Sequence, residues 1–367
     1  AVCRPKSRPC MIATILSATS LGASPPQCYR AKVESFDPNP VLSSVGGSSD
    51  YAFVFNPSWV EATKGTSGKE GLLLRTQNCS KTTGTGGKCS KCKGTGPNAS
   101  VLTFSHLVSD TDNHTATPTF ERVTSASFVF GPHDDTDIRG TEDPRIAWDE
   151  ESQLYYMFYT CWAKNKLGTL CLATTADPTS SGGWTRHGAP FGGNHKSGAL
   201  LIRDEQSKPS TPHYLISGAG EIHISHSKNL LNWTLGPLFI NETLWGNPHV
   251  EAGPPPMRLA DGNFVFFLNS WGGKDVPQPG YQPAWVILDK DDPSHILARA
   301  PKPLWSPTDQ LWMEGKPPSL CNVPQVAFLE AAHPAGKDNF RVYFGGADAV
   351  VGTALVGIER VPGVSCS

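Results

Sequence analysis

The stretch GTEDPRIAWDEESQLYYMFY at positions 140–159 carries the pattern that decides the fold. Its apolar run at 145–148 and its aromatic run at 154–159 are separated by the polar segment 149–152, which is typical of a β-hairpin. Similar pairs of runs occur at 53–59 and 71–74, 198–202 and 213–216, 256–259 and 264–268, and 326–329 and 340–344. Five such units, roughly 50 to 90 residues apart, favour a β-propeller, although a β-sandwich with ordinary hairpins also fits the repeats alone.

The composition agrees with an all-β protein. Gly (36) and Pro (32) are frequent, and only 17% of the 367 residues are charged. We predict a single five-bladed β-propeller domain over residues 1–367, with a disulfide-pinned loop insertion in the N-terminal blade at 79–125. The balance of 31 basic and 33 acidic residues gives no support for nucleic acid or an acidic membrane as a partner. No apolar run is long enough to cross a bilayer.

The cysteines and glycosylation sequons indicate an oxidising compartment. The chain has ten cysteines, at Cys3, Cys10, Cys28, Cys79, Cys89, Cys92, Cys161, Cys171, Cys321 and Cys366. Asn-x-Ser/Thr sequons begin at Asn78, Asn98, Asn113, Asn232 and Asn241. Together they predict disulfides and a secreted glycoprotein, and the start at Ala1 rather than Met leads us to expect that a signal peptide has been removed.

The segment Cys89-Ser-Lys-Cys92 has the spacing of half a zinc site. It lacks a clear second pair of ligands and lies in a stretch rich in Gly, Ser, Thr and Lys. We therefore expect disulfides here, and neither a metal nor another cofactor.

Polar residues stand at the strand ends of all five units. They are Asn56, Arg75, Glu142, Asp143, Thr160, His195, Lys196, His249, Glu251, Asn269, Asn322 and Asp348. Because the innermost strands of a propeller surround a central channel, residues at equivalent strand ends converge on one funnel. The recurrence favours a binding site, most strongly for Asp143 and Glu251, while the alternative is that these residues form turns and cap strands.

Four blocks, GTEDPRI at 140–146, HKSGALLI at 195–202, EAGPPPMRLADG at 251–262 and VYFGGAD at 342–348, together resemble glycoside hydrolase family 130. That family contains β-mannoside phosphorylases and β-mannosidases on a five-bladed β-propeller. The resemblance implies that Asp143 is the general acid, which in the phosphorylases is thought to act through a sugar hydroxyl. It also implies that Glu142 and Arg145 bind sugar hydroxyls or hold the acid in place.

The other blocks favour the hydrolase branch of the family. A phosphorylase needs cationic groups for phosphate, but this chain has Ser217-Gly218-Ala219 and Leu268-Asn269-Ser270 where those members carry Arg and His-Gly, and Lys196 is the one clear cation left. Glu251 precedes Gly-Pro-Pro-Pro, where the hydrolase branch looks similar. An inverting hydrolase needs two carboxyl groups about 6.5 to 9.5 Å apart, which Asp143 and Glu251 on different blades could provide.

The sequence therefore predicts a secreted, inverting exo-glycosidase that acts on β-mannosidic linkages of oligosaccharides or glycans, with Asp143 as acid and Glu251 as base. Further candidates for sugar hydroxyl contacts are Asn56, His195, Lys196, His249, Asn269 and Asp348. Aromatic candidates for stacking on sugar rings are Trp148, Trp245, Trp271, Trp285 and Tyr281. The alternatives are a β-mannoside phosphorylase, a carbohydrate-binding propeller without catalysis, and a furanosidase-type propeller in which Asp50 would be the first-blade carboxylate.

Overall fold

The computed structural model describes residues 28–45, 47–78, 99–110, 116–165, 168–192, 195–203, 211–241, 244–273, 279–316 and 319–366. These residues form five antiparallel sheets whose innermost strands surround one axis, which confirms the predicted five-bladed β-propeller. The cysteines at 3, 10, 79, 89 and 92 lie outside the described residues, as do the sequon asparagines Asn98 and Asn113. The predicted disulfides of the N-terminal loop insertion therefore lie outside the described residues.

The first three blades follow one another along the chain, with strands in chain order from the inside outwards. Blade 1 contains β2 (Phe53–Val60), β3 (Gly71–Gln77), β4 (Val101–Ser109), β5 (Thr119–Phe120) and β6 (Phe128–Phe130). Blade 2 contains β7 (Thr141–Asp149), β8 (Leu154–Trp162), β9 (Gly168–Thr175) and β10 (Thr185–Gly188). Blade 3 contains β11 (Gly198–Leu201), β12 (His213–Ser217), β14 (Ile222–Ser227) and β15 (Leu238–Ile240).

The last two blades are less regular. Blade 4 contains β13 (Ala219–Gly220), β16 (His249–Ala252), β17 (Met257–Arg258), β18 (Phe264–Gly272), β19 (Gly280–Leu288) and β20 (Ile296–Arg299). Blade 5 contains β21 (Ala327–Pro334), β22 (Asn339–Gly346), β23 (Val350–Arg360) and, as its outermost strand, β1 (Tyr29–Phe36). The helical segments are the 3₁₀ turns Ser125–Ser127 and Pro307–Asp309 and the single turn α1 (Leu311–Glu314). Among the described residues, no helix has the length and apolar character needed to span a membrane.

The propeller is closed by its two chain ends. Strand β1 pairs with β23 from Tyr29 opposite Arg360 to Phe36 opposite Ala354, so blade 5 combines the first described strand with the last three. A disulfide between Cys28 and Cys366 joins the same two strands beyond their paired ends. Closure therefore rests on backbone pairing and on one covalent link between residues 338 positions apart.

The core lies between neighbouring blades, which explains why the strands read as continuous apolar runs. Leu102 and Phe130 of blade 1 share one buried cluster with Met157 and Tyr159 of blade 2. On the other face of blade 2, Phe158 packs in a cluster with residues of blade 3. A strand buried on both faces needs apolar residues at successive positions, and β8 (LYYMFYTCW) is the clearest case.

Two predictions about the blades need correction. The stretch 79–125 is not one loop, because 101–109 forms β4, the third strand of blade 1, with Leu102 and Phe104 buried. Alternation in VLTFSHLVS was the signal for this strand, and the Ser/Thr-rich surroundings hid it. In blade 4 the innermost strand is β16 and not 256–259, of which only Met257 and Arg258 pair with β18.

Removing the closing disulfide with Cys28→Ser and Cys366→Ser should lower the free energy of unfolding by about 3 to 5 kcal/mol, because the link restricts a very long loop in the unfolded chain. The Cys161→Ser, Cys171→Ser pair is the matched control, since that disulfide joins residues only 10 positions apart. It should cost ~3 kcal/mol or less. Urea unfolding of both double variants checks the order, and a larger loss in the control would contradict the role of Cys28–Cys366 in closure.

Candidate active site

Bulges in the innermost strands build one end of the channel. The pairing register shifts at Asn56 in β2, at Asp143 and Pro144 in β7, and at Glu330 in β21. Asn56 and Asp143 also have left-handed backbones, with φ of 45° and 50°. A bulge bends its strand and redirects a side chain, and bulges are common next to active sites. The acidic pair 142–143 therefore lies within β7, whereas the sequence suggested a position just ahead of the hairpin.

Arg75 of β3 holds both acids of that pair. Its Nη1 lies 2.8 Å from Asp143 Oδ1 and its Nη2 lies 2.7 Å from Glu142 Oε1. Asn56 donates a second hydrogen bond to Asp143 Oδ1 at 2.8 Å. Burial alone would raise the pKa of Asp143, but Arg75 and Asn56 outweigh it and lower that pKa. Asp143 is thus buried and ionised in the free site.

Both carboxylate oxygens of Glu142 accept hydrogen bonds from protein groups. Ser100 Oγ donates to Oε1 at 2.9 Å, and the indole N–H of Trp162 donates to Oε2 at 2.6 Å. Burial raises the pKa of Glu142, although Arg75 opposes the shift. Of the two roles expected for Glu142, that of an orienting neighbour fits these contacts better than direct sugar binding.

Arg145 does not reach the pocket, because its side chain is completely buried. Its guanidinium donates to the backbone carbonyls of Gly253 at 2.9 Å, Ala252 at 2.8 Å and Asp143 at 3.0 Å. Its Nη1 also lies 2.9 Å from Glu330 Oε1. Arg145 therefore holds the backbone of Asp143 in place, and burial leaves its guanidinium inaccessible to the sugar hydroxyls that it was expected to bind.

Glu330 was missed by sequence reasoning. Its carboxyl group is completely buried beside Arg145, yet neither oxygen makes a hydrogen bond of good geometry with the described residues. Burial raises the pKa of Glu330 well above its usual range, and Arg145 opposes this. A single charge inside the apolar run AFLEAA was the available signal, since a charged residue is rarely buried without a specific partner.

Glu251 lies in β16, where two hydroxyl groups hold its carboxylate. Ser197 Oγ donates to Oε1 at 2.6 Å, and Tyr281 O–H donates to Oε2 at 3.1 Å. Ser197 and Glu251 are both buried. Burial and the nearby charge of Glu251 raise the pKa of Tyr281 far above its usual value, so its phenol remains a hydrogen-bond donor.

Electrostatic coupling indicates that carboxyl groups of three blades, 2, 4 and 5, lie near one another at this end of the channel. The charges of Asp143 and Asp348, in addition to that of Glu251, raise the pKa of Tyr281. Asp348, in the turn between β22 and β23, has its pKa raised to about 7 by burial and by its neighbours Asp143, Glu142 and Glu251 against the effect of Arg75. The structure therefore brings Asp143, Glu251 and Asp348 close enough together to influence one another's charge.

Blade 3 contributes one cation and one neutral histidine. The ammonium group of Lys196 is close enough to help lower the pKa of Asp143. Burial and the neighbouring His223 lower the pKa of His195 to about 4, so His195 is neutral near pH 7. Its Nε2 lies 2.8 Å from Ser217 Oγ, which makes it a neutral hydrogen-bonding group beside the pocket.

The remaining predicted residues divide between the pocket wall and the core. His249 packs on Trp271 with ring centroids 4.2 Å apart, and Trp271 stacks on Tyr281 at 5.5 Å, which forms an aromatic row beside Glu251. Asn269 is completely buried and exchanges two hydrogen bonds with the backbone of Leu329, so it joins blades 4 and 5 and does not face the pocket.

Three further tryptophans do not line this pocket. Trp285 is a core residue and is 2% exposed. Trp245 donates its indole N–H to the carbonyl of Ala300. Trp148 lies at the far end of β7. Sequence reasoning also gave no specific role to Arg75, Ser100, Trp162 or Ser197, because a partner on another blade is invisible in local patterns. Within the described chain, no group of three or more His, Cys, Asp or Glu side chains is arranged to hold a metal ion.

Comparison with known proteins identifies the family. The model of glycoside hydrolase family 130, described as β-1,4-mannooligosaccharide phosphorylase, matches residues 111–364. The chain belongs to glycoside hydrolase family 130. It is 28% identical over 240 residues to a 1,2-β-oligomannan phosphorylase of Thermoanaerobacter sp. (strain X514), which covers 64% of this chain and 73% of that protein. A β-1,2-mannobiose phosphorylase of the same organism is 27% identical over 226 residues, covering 60% and 68%.

Solved structures show the same fold. One is a structure from work on the GH130 family of mannoside phosphorylases. Its description says that the family contains glycoside hydrolases that target β-1,2 mannosidic linkages in Candida mannan. It matches with a TM-score of 0.65 at 23% identity, over 88% of this chain and 94% of that one. The β-1,2-mannobiose phosphorylase of Listeria innocua, in complex with β-1,2-mannobiose, matches with a TM-score of 0.64 at 15% identity, over 88% and 95%.

The raised pKa of Asp348 makes stability depend on pH. Its folded-state pKa of about 7 lies above the ordinary value of 3.8, so its contribution is complete below about pH 4 and is lost as the pH rises through 7. Asp348→Asn should therefore raise the free energy of unfolding at pH 8 by about 1 to 4 kcal/mol relative to the wild type, and change it little at pH 4.

Asparagine also tolerates the left-handed backbone at position 348, where φ is 50°. Asp338→Asn is the control, because Asp338 has a φ of 53° in a turn at the opposite end of β22. Urea titrations at both pH values measure the difference. Equal changes at pH 4 and pH 8 would contradict the assignment.

The pair Arg145 and Glu330 should be strongly coupled. Arg145→Met leaves three backbone carbonyls and Glu330 without their partner and should cost about 3 to 5 kcal/mol. Glu330→Gln keeps the shape of the side chain without its charge and should cost less. The double variant should be more stable than the sum of the single effects predicts, as measured by urea unfolding. Additive losses would show that the two side chains do not act as a pair.

Proposed function

We propose that this member of family 130 is a secreted, inverting exo-glycosidase that hydrolyses β-mannosidic linkages, with Asp143 as general acid and Glu251 as general base. The observation that carries the proposal is the buried carboxylate of Glu251, which lies on a different blade from Asp143 and accepts hydrogen bonds from Ser197 and Tyr281. Such a group can activate water and has no evident use beside an anionic nucleophile.

The proposed reaction relies on these contacts. Glu251 takes a proton from a water molecule as the water oxygen attacks the anomeric carbon. The glycosidic C–O bond breaks, and the leaving oxygen receives a proton from Asp143, either directly or through a sugar hydroxyl. Attack from the face opposite the leaving group inverts the anomeric configuration. Ser197 and Tyr281 fix the orientation of Glu251 throughout because both donate hydrogen bonds to it.

The charge of the pocket supports water as the nucleophile. Phosphate would bring further negative charge to a pocket that already contains Asp143, Glu251 and Asp348. Arg75 is engaged by the acidic pair of β7, and the neutral His195 offers no compensating charge. Like charges at short distance in a buried site are strongly unfavourable, so a neutral nucleophile fits better.

The proposed reaction also requires a supply of the proton to Asp143. The acid must be protonated to act, whereas Arg75 and Asn56 favour the ionised form of Asp143. Asp348 retains a proton up to about pH 7 within the same group of carboxyl groups. We infer that the site as a whole carries this proton below neutral pH, and that substrate binding places it on Asp143.

A β-mannoside phosphorylase is the second candidate. The family description and both Thermoanaerobacter relatives name phosphorylases, and Lys196 supplies a cation beside Asp143. The two candidates share the acid and differ in the nucleophile. Dependence on phosphate therefore separates them.

Secretion and glycosylation belong to the same proposal. The disulfides Cys28–Cys366 and Cys161–Cys171 are typical of proteins that fold in an oxidising compartment. The described sequon asparagines Asn78, Asn232 and Asn241 are exposed, as glycan attachment requires. Mass spectrometry of the protein from its natural source, before and after removal of N-glycans, tests this part.

Asp143→Asn and Glu251→Gln should each lower kcat on β-1,2-mannobiose by at least about 1,000-fold, since each removes proton transfer, with little change in melting temperature. Glu121→Gln, which changes an exposed carboxylate, is the control and should remain fully active. The wild type should release free mannose without phosphate, and NMR of the first product should show the α anomer. Mannose 1-phosphate formed only with phosphate would support the phosphorylase, and full turnover in either acidic-residue variant would refute the assignment of its role.

A further inference from the structure

A separate cavity of about 360 Å³ lies at the other end of the innermost strands. Its lining includes Trp59 of β2, Trp148 of β7 and His333 of β21, and each of these residues follows the bulge of its strand. Trp148 is five residues beyond Asp143, which corresponds to about 16 Å along an extended strand. The cavity therefore opens at the opposite mouth of the channel from the candidate active site.

A buried layer separates the two mouths. Arg145 and Glu330 fill the centre of the propeller between Asp143 and the cavity, and both side chains are completely buried. Ser58, which is 1% exposed, accepts a hydrogen bond from the backbone N–H of Ile146 in the same layer. A ligand in this cavity thus has no direct path through the described residues to Asp143, and the cavity is a distinct site.

The aromatic lining is held rigidly. Trp59 stacks on His333 with ring centroids 3.9 Å apart. Trp148 packs against Tyr155 at 4.7 Å, and its indole N–H donates to Glu150. Both indoles are only partly buried, so part of each ring remains available to a ligand. Flat faces that are fixed in advance lower the entropy cost of binding.

Two carboxylates at the cavity have no side-chain partner among the residues that the structure describes. Neither the Glu61 nor the Glu70 side chain forms a hydrogen bond or ion pair with any residue that the structure describes. Glu61 lies at the rim, yet burial raises its pKa, and the nearby charge of Glu150 adds to the shift. No Lys or Arg lines the described part of the cavity. These carboxylates are therefore free to accept hydrogen bonds from a ligand.

We propose that this cavity is a second, non-catalytic saccharide site that binds a neutral hexose unit of a glycan. The C–H face of a pyranose ring can pack on an indole, and its hydroxyl groups can donate to Glu61 and Glu70. A purely apolar ligand would leave the carboxylates desolvated and unpaired, and an anionic ligand would be repelled by them. The choice of mannose as the sugar rests on the proposed function.

The second site would increase the apparent affinity of the enzyme for long substrates only. A polymer held at the far mouth keeps its other chains near the active site, which raises the effective concentration of chain ends. A disaccharide bound at the active site gains nothing from it. Loss of the site should therefore raise KM for a mannan and leave kcat/KM for β-1,2-mannobiose unchanged.

The test uses Trp148→Ala, which removes an indole face, and Glu61→Gln, which keeps the shape of the side chain and removes only its charge. Phe128→Ala is the matched control, because Phe128 is an exposed aromatic residue, 41% exposed, that lies outside the cavity. Affinity electrophoresis in gels containing soluble β-1,2-linked mannan should show the wild type, Phe128→Ala and the inactive Asp143→Asn retarded equally. Trp148→Ala and Glu61→Gln should bind the mannan at least about fivefold more weakly.

Other outcomes are equally informative. Retardation of both cavity variants equal to that of Phe128→Ala would overturn the proposal, as would a parallel loss of kcat/KM on mannobiose, which would indicate a structural defect. Competition by choline chloride but not by mannose would replace the saccharide with a cationic ligand and also overturn it. Retained mannan binding in a protein that cleaves no mannoside would refute the proposed activity while supporting the second site.

Discussion

The buried contact between Arg145 and Glu330 is the constraint on which the centre of this propeller depends. Bringing a guanidinium and a carboxyl group out of water costs several kcal/mol for each charge. Arg145 offsets that cost with three hydrogen bonds to backbone carbonyls, those of Asp143, Ala252 and Gly253. The Arg145 side chain thereby joins blade 2 to blades 4 and 5. The same guanidinium positions the proposed acid, because it donates a hydrogen bond to the backbone carbonyl of Asp143.

The sequence predicted the blades better than it predicted the contacts between them. Alternating or continuous apolar runs with a turn between them are a local signal, and they located at least one strand pair in every blade. Closure could not be predicted in this way, because β1 pairs with β23 more than 300 residues later. The inner strand β16 was also missed, since its four residues, His249 to Ala252, show no clear period.

The sequence suggested candidate site residues but not the contacts that hold them. Asp143 and Glu251 stand out because of the motifs around them, but Ser197 and Tyr281, which orient Glu251, are joined to it only by the fold. The positions of bulges are also difficult to predict from the sequence. A one-residue shift in register changes which side chains point inward, and an apolar pattern does not reveal where that shift occurs. Close packing at the bulge of β2 requires a glycine at position 345, where any Cβ would overlap the amide oxygen of Asn56.

Charge is the property that the two mouths of the channel share. Around the candidate active site, burial and the neighbouring charges of Asp143, Glu142 and Glu251 raise the pKa of Asp348 to about 7. At the other mouth, Glu61 and Glu70 have no cationic partner among the described residues. Acidic sugars and phosphate would be disfavoured at both ends, whereas neutral hydroxyl groups can donate to every one of these carboxylates. The same physical argument thus favours water over phosphate as the nucleophile and a neutral glycan over an acidic one as the substrate.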